Sequence, residues 1–295
     1  MKTASPVRCV VENPSIVGEC PVWCPREKAL YWIDIYAPAV FRYEPATGEN
    51  RRWDMPEPVG SIALRESGGL VAGMASGFCF IDLESGAIAP IADPEADDPG
   101  TRLNDGRCDR AGRFWAGSMP EGVDRPVGAL YRLEPDLSCN KAFDGFLISN
   151  GLAFSPDDRI LYHADTRARS VFAYDFDIET GRVANKRLFC TSDDRYGEGR
   201  PDGASVDEEG CYWSARCDGW RVVRHAPDGR VIGRIDLPVA VPTMCAFGGE
   251  NLDVLYITTA TDGKPPEALG DQPLAGSLFA VEPGVRGLPE PRFGG

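Results

Sequence analysis

A pair of short strands rich in aromatic and β-branched residues, followed by a turn that usually carries glycine, recurs six times along the chain. The first copy runs Ala29-Leu30-Tyr31-Trp32-Ile33-Asp34, then Val40-Phe41-Arg42-Tyr43, and turns at Thr47-Gly48. Later copies are centred on Val71, Trp115, Tyr162, Trp213 and Tyr256, at successive spacings of 39, 44, 47, 51 and 43 residues. Periods of about 40 to 50 residues built from short strands belong to propeller blades of four strands. No extended helical periodicity supports a helical solenoid of similar period. The expected fold is therefore all-β: one six-bladed β-propeller over residues 1–295, with four-stranded antiparallel blades around a central channel. A strand from Val7 to Glu12 precedes the first copy. Pairing it into the last blade would close the ring and remove an open sheet edge.

Composition narrows the chemistry. The chain carries 31 Lys and Arg against 45 Asp and Glu, a net charge of −14 spread along its length. That balance argues against nucleic acid and anionic membrane as partners. No obligate protein partner is evident. No apolar run approaches the roughly 18 residues of a membrane span, and Met1 to Ser15 holds no signal-peptide core. The ten cysteines are scattered without a CxxC pair, so they are expected to be reduced and mostly buried in a cytoplasmic protein. Only two histidines exist, His163 and His225. This excludes His-rich zinc sites and weighs against a Ser-His-Asp apparatus. No GxSxG, GxxxxGK[ST] or GxGxxG occurs. Chemistry is then left to carboxylates, amides and arginines, with a hard metal as an option.

Four polar residues recur at one place in the repeat. Glu19, Asn104, Asn150 and Asp202 stand 13, 11, 12 and 11 residues ahead of Trp32, Trp115, Tyr162 and Trp213. If that place is the entry to the innermost strand, all four side chains converge at one mouth of the channel. Two carboxylates and two amides are the oxygen donors that Ca²⁺, Mg²⁺ or Mn²⁺ take. Asn104-Asp105-Gly106, Asn150-Gly151 and Asp202-Gly203 are equally ordinary turn sequences, and from spacing alone both readings stand.

Taken together, Gly18-Glu19-Cys20-Pro21-Val22-Trp23, Arg102-Leu103-Asn104-Asp105-Gly106, Ser149-Asn150-Gly151-Leu152-Ala153-Phe154, Pro201-Asp202-Gly203 and Cys245-Ala246-Phe247-Gly248-Gly249 resemble the SMP-30/gluconolactonase family. The similarity follows the family's order over nearly the whole chain. It implies a propeller that holds one divalent cation on its axis and hydrolyses a sugar lactone to the aldonic acid in carbohydrate catabolism. It also implies Glu19, Asn150 and Asp202 as metal ligands, with Asp202 doubling as general base, and Arg102 and Asn104 as substrate contacts. Ca²⁺ is the first choice of cation, with Zn²⁺, Mn²⁺, Mg²⁺ or Fe²⁺ as alternatives. The family often has Gly or Ser where Cys20 stands. Met119-Pro120-Glu121-Gly122 offers Glu121 as a further substrate contact, in a register ambiguous by one position. The competing functions are a non-catalytic, calcium-binding or regulatory propeller, and a lactonase or esterase of different specificity.

The remaining conspicuous residues have plainer expectations. His163 is expected to pack or hydrogen-bond within a blade, and Trp23, Trp32, Trp115 and Trp213 to pack between blades. Thr191 to Arg200 and Thr261 to Gly276 are read as solvated loops placed to overhang the site. The acidic run Asp93 to Asp98 is read as a solvated turn.

Overall fold

The computed structural model describes residues 4–122, 125–193 and 198–295. Six four-stranded antiparallel sheets form the blades of a propeller, each numbered outwards from the axis in chain order. Blade one comprises Gly18–Cys24, Ala29–Asp34, Ala39–Glu44 and Glu49–Asp54. Its innermost strand is wholly buried and its outermost mostly exposed, because the first packs against the other inner strands and the last faces water. The innermost strands of blades two to six are Val59–Leu64, Thr101–Cys108, Ser149–Phe154, Arg200–Val206 and Pro242–Gly248. The one α-helix among the described residues is the short Pro266–Gly270.

Blade six is completed from the other end of the chain. Arg8–Val11 pairs antiparallel with Leu278–Val281, setting Arg8 against Ala280 and Cys9 against Phe279. The early strand thus sits where the sequence placed it. Val10 and Val11 pack on a core of Trp23, Trp32, Phe41, Tyr256 and Leu278 that spans blades six and one. Within it Trp23 stacks on Tyr256 at 6.0 Å.

The tryptophans are packing residues, as expected, and a carboxylate decides how well two of them are satisfied. Trp115 and Trp213 donate their indole N–H to Asp109 and Asp207, each six positions earlier, at 2.8 and 2.9 Å. Blade one has Arg26 at that place, and Trp32 Nε1 is buried without a partner. An unmade buried hydrogen bond of this kind costs about 1–3 kcal/mol.

Beyond the last strand the chain crosses the far ends of the innermost strands. Phe293 is fully buried beneath blades two and three, its N–H donating to Leu64 O. Glu290 pairs with the buried Arg107 at 2.9 Å. This tail closes one mouth of the channel, which leaves the other for a site.

All ten cysteines are free. Deleting residues 1–11 removes both the closing strand and the apolar contacts of Val10 and Val11. The melting temperature should fall by several degrees or more, at about 2–4 °C per kcal/mol lost for a chain of this size. An unchanged melting curve would show that the outer strand of blade six does not hold the ring.

Candidate functional site

The innermost strands cannot pair regularly with their neighbours along their whole length. In every blade the register breaks near the strand's start: between Glu19 and Val22, Val59 and Ser61, Leu103 and Gly106, Asn150 and Ala153, Pro201 and Ala204, and Pro242 and Cys245. A bulge of this kind re-aims side chains. Glu19 and Asn150 are the last paired residues before their bulges, whereas Asn104 and Asp202 are the first unpaired ones. The common place seen in the sequence is thus two adjacent positions. After Glu19 and Asn150 the backbone turns left-handed, at Cys20 (φ 47°) and Gly151 (φ 60°). Gly151 meets that demand without steric cost. Cys20 meets it as a side chain tied down, its thiol bonded to the Ile62 backbone on both sides. The Asn-Gly and Asp-Gly pairs therefore lie at bulges inside strands and not in the turns that such sequences ordinarily make.

Blade two contributes no polar side chain at this level, because Val59 is apolar and Gly60 has none. A Cβ on Gly60 would lie 2.3 Å from Leu103 O, so the neighbouring blade excludes one.

All six residues singled out in the sequence line one cavity of about 490 Å³: Glu19, Arg102, Asn104, Glu121, Asn150 and Asp202. A continuous relay joins most of them. Arg102 donates to Asn104 Oδ1 at 2.7 Å, and Asn104 Nδ2 donates to Ser149 O at 2.9 Å and Asn150 Oδ1 at 3.2 Å. Asn150 Nδ2 donates to Asp202 Oδ1 at 2.7 Å and to Thr166 Oγ1 at 2.9 Å. Arg102 is buried, and it also donates to Tyr36 Oη at 3.2 Å. Its Nε lies 3.5 Å from the half-exposed Glu121 carboxylate. Glu121 opens the turn after Phe114–Pro120.

The electrostatics are unfavourable in a directed way. Burial, and then the nearby charges of Asp202 and Asp105, hold the Glu19 carboxyl well above its ordinary range. Burial and Asp105 push Asp202 upwards too. Asp105 is raised by burial despite accepting from Leu152 N at 2.9 Å, and its Oδ1 is buried without a partner. Three carboxyl groups therefore share one axis, and Asp105 went unremarked in the sequence because it reads as part of a turn.

That donor set fits a hard divalent cation. Two carboxylates and an amide oxygen are the right ligand type, and a cation would relieve the repulsion that burial enforces. To offer its oxygen, Asn150 must exchange the two bonds its NH₂ makes. A softer, thiolate-bound metal does not fit, since burial raises the Cys20 thiol and the Ile62 backbone already engages it. Among the described residues no group of three His, Cys, Asp or Glu could hold a metal, so a site here would need a donor of another kind, such as the Asn150 amide.

Above the floor stands a rim that sequence spacing did not reveal. It comes from the loops after the second strands: Tyr36, Glu121, Arg167 and Asp218, with Asp262 to Lys264 from blade six. Two of these loops are built alike. Asp34 accepts from the N–H groups of Ile16, Val17, Tyr36 and Ala37, and Asp165 from those of Leu147, Ile148, Arg167 and Ala168. The recurrent strand-ending aspartate was the available signal. Part of the Thr261–Gly276 segment does overhang the site. The loop Thr191–Arg200 includes residues 194–197, which lie outside the described residues, while Arg200 lines the cavity.

Comparison with known proteins agrees with this geometry. The model of the SMP-30/gluconolactonase/LRE-like region matches residues 17–261. The chain is 42% identical to a 6-deoxy-6-sulfogluconolactonase from Pseudomonas putida, over 98% of this chain and 99% of that one. It is 38% identical to regucalcin from Oryctolagus cuniculus, over 98% of both. Among solved structures, regucalcin from Agrobacterium tumefaciens, described as a calcium-binding protein, superposes with a TM-score of 0.93 at 27% identity, over 98% of this chain and 97% of that one.

Both histidines lie away from the floor, in the blades. His163 Nε2 meets Ser149 Oγ at 2.7 Å between Phe143 and Phe146, so it steadies the strand whose Ser149 carbonyl holds Asn104. Burial lowers it to about 3, and burial with Arg216 lowers His225 to about 4. An unfolded chain takes up protons near pH 6.5 that the folded one refuses, so both contributions are complete above about 6.5 and fade as pH falls towards those values. The melting-temperature gap between wild type and His163→Gln should therefore narrow from about pH 7 to about pH 4.5. A gap that stays constant would mean that His163 takes up its proton alike in the folded and the unfolded chain.

Proposed function

The chain belongs to the SMP-30/gluconolactonase/LRE-like family and is a lactone hydrolase, and we propose that it opens an aldonolactone to the aldonic acid with a divalent cation held at the axis. The observation that carries this reading is the meeting of Glu19, Asn150 and Asp202 with the buried Arg102 and Asn104 on one cavity floor. A volume of about 490 Å³ accommodates one sugar ring with its waters. The name of the Pseudomonas putida relative specifies a lactone with a sulfonate on carbon 6, so substituted aldonolactones belong among the substrates tested.

Glu19, Asn150 and Asp202 are the residues that would hold the cation. When bound it supplies polarisation of the lactone carbonyl and charge to offset the oxyanion. The chain's own groups do the rest. Asp202 accepts the proton of the attacking water and returns it to the ring oxygen as the ester C–O bond breaks. Arg102, with donors directed along the floor, binds the lactone through charge-assisted hydrogen bonds. Asn104 is bonded to both Arg102 and Asn150, so it fixes the substrate contact relative to the ligand set. Glu121 and Tyr36 brace Arg102 from the rim.

Ca²⁺ is the favoured cation for an all-oxygen donor set, ahead of Mg²⁺, Mn²⁺, Zn²⁺ or Fe²⁺. The resemblance to regucalcin favours one second reading, a propeller that binds the cation without turnover. The proposed setting is the cytoplasm. Thiol titration of freshly purified, denatured protein should accordingly find close to the ten free groups. Several reproducible disulfides would place the chain in an oxidising compartment instead. Among the described residues no helix is long and apolar enough to cross a membrane.

Chelator-treated protein should lose lactonase activity and melt at a lower temperature, and one cation added back should restore both. Asp202→Ala should lower turnover by about 10²–10⁴ or more, because it removes a ligand along with the base. Arg102→Ala should keep cation-induced stabilisation while losing lactone turnover. Wild-type activity in Asp202→Ala would overturn the mechanism. Cation stabilisation with no aldonolactone hydrolysed would leave the binding reading standing.

A further inference from the structure

Four cationic side chains line the cavity: Arg102, Arg167, Arg200 and Lys264. Three already have an acidic partner, two of them sharing one carboxylate. Arg102 faces Glu121, while Arg200 and Lys264 both pair with Asp218. Arg167 has no acidic partner among the described residues. The carboxylate closest to it in sequence, Asp165, spends both oxygens on four backbone N–H groups, one of them Arg167's own. That arrangement fixes the loop and leaves the guanidinium exposed at the cavity wall. Arg167 also follows Thr166, whose hydroxyl accepts from Asn150 and donates to Pro201 O at 2.8 Å. The loop that carries the free cation is thereby tied to the floor of the site.

Tyr36 shows what this loop position does elsewhere in the ring. It holds the equivalent place after Asp34, and its hydroxyl reaches inwards to Arg102. A side chain set there by the aspartate cap points a polar group over the floor. In blade four that group is a guanidinium, five donors in a planar fork suited to oxyanions. The protein's net charge of −14 repels anions at long range, so an anionic substrate needs a local cation of this kind.

We propose that Arg167 is a specificity residue that binds an anionic substituent, a sulfonate, phosphate or carboxylate, borne by the lactone at the end away from its ester. This rests on the lactonase reading above, since it assumes the ester lies on the floor. A lactone so placed presents its exocyclic end to the rim, where Arg167 is the cation not already committed. The preference is electrostatic and should weaken with added salt.

The test compares kcat/KM for the 6-sulfo, 6-phospho and unsubstituted gluconolactones, with wild type, Arg167→Gln and Arg167→Lys. Wild type should favour at least one anionic lactone over the neutral one. In Arg167→Gln that ratio should fall by at least about tenfold, the scale of one hydrogen bond to a charged group. Arg167→Lys should restore part of it, because it returns the charge without the fork. A drop for the sulfo or the phospho substrate alone identifies which oxyanion the site takes. A wild-type ratio at or below one, or a ratio unchanged in Arg167→Gln, overturns the proposal while leaving the lactonase intact. If no lactone is hydrolysed, the lactonase reading fails by itself. The same ratio, measured as dissociation constants of 6-sulfogluconate, 6-phosphogluconate and gluconate, then decides Arg167 by the same criteria.

Discussion

Three carboxyl groups, those of Glu19, Asp105 and Asp202, are buried around one axis, and their mutual repulsion is the cost the rest of the architecture accommodates. Isolated buried charge is unfavourable by several kcal/mol in real proteins unless it is paired or neutralised. Here each group is held in place by neighbours that do not remove the strain. Glu19 accepts from Cys20 N–H, Asp105 from Leu152 N–H, and Asp202 from the Asn150 amide. A chain without a closed ring would relax by letting these groups move apart. Pairing Arg8–Val11 onto blade six removes that freedom.

The bulges translate ring closure into a site. A regular strand would alternate its side chains between two faces, and neighbouring blades would cover both. Breaking the register at the same level in all six blades turns a few side chains towards the channel instead. Which blades contribute is then a local matter. Blade two carries Gly60 under the backbone of Leu103, and blade six carries Thr243, which bonds to Gly18 O and Thr258. The ligand set is lopsided because packing between blades silences part of the ring.

The two mouths of the channel differ for a reason that lies in the tail. Arg107 meets Glu290 beneath the floor, and Phe293 is buried under blades two and three. The open mouth is bordered by loops after the second strands, whose ends are capped by Asp34 and Asp165. Floor and rim are thus built by different strands. The floor can hold a common chemistry while the rim, through residues such as Tyr36 and Arg167, adjusts what is admitted.

Repeat spacing and strand composition were enough to indicate six blades and the closing strand, because each blade must present the same strand at the same radius, and they offered the convergence of Glu19, Asn104, Asn150 and Asp202 as one of two readings. The two histidines and scattered cysteines likewise limited the chemistry before any coordinate was known. Spacing blurred the register by one residue, since a bulge brings two adjacent positions to the axis. It also hid Asp105, whose Asn-Asp-Gly setting reads as a turn. Tyr36, Thr166, Arg167 and Asp218 stayed silent in the sequence for a different reason, and Lys264 was foreseen only as part of an overhanging loop. They lie in loops without periodicity, and only the closed ring brings loops from blades one, three, four, five and six around one cavity. The sequence determined the repeating unit and the donor chemistry. The tertiary structure decided which donors meet, which cation is left unpaired and which mouth is open, because those depend on contacts between blades.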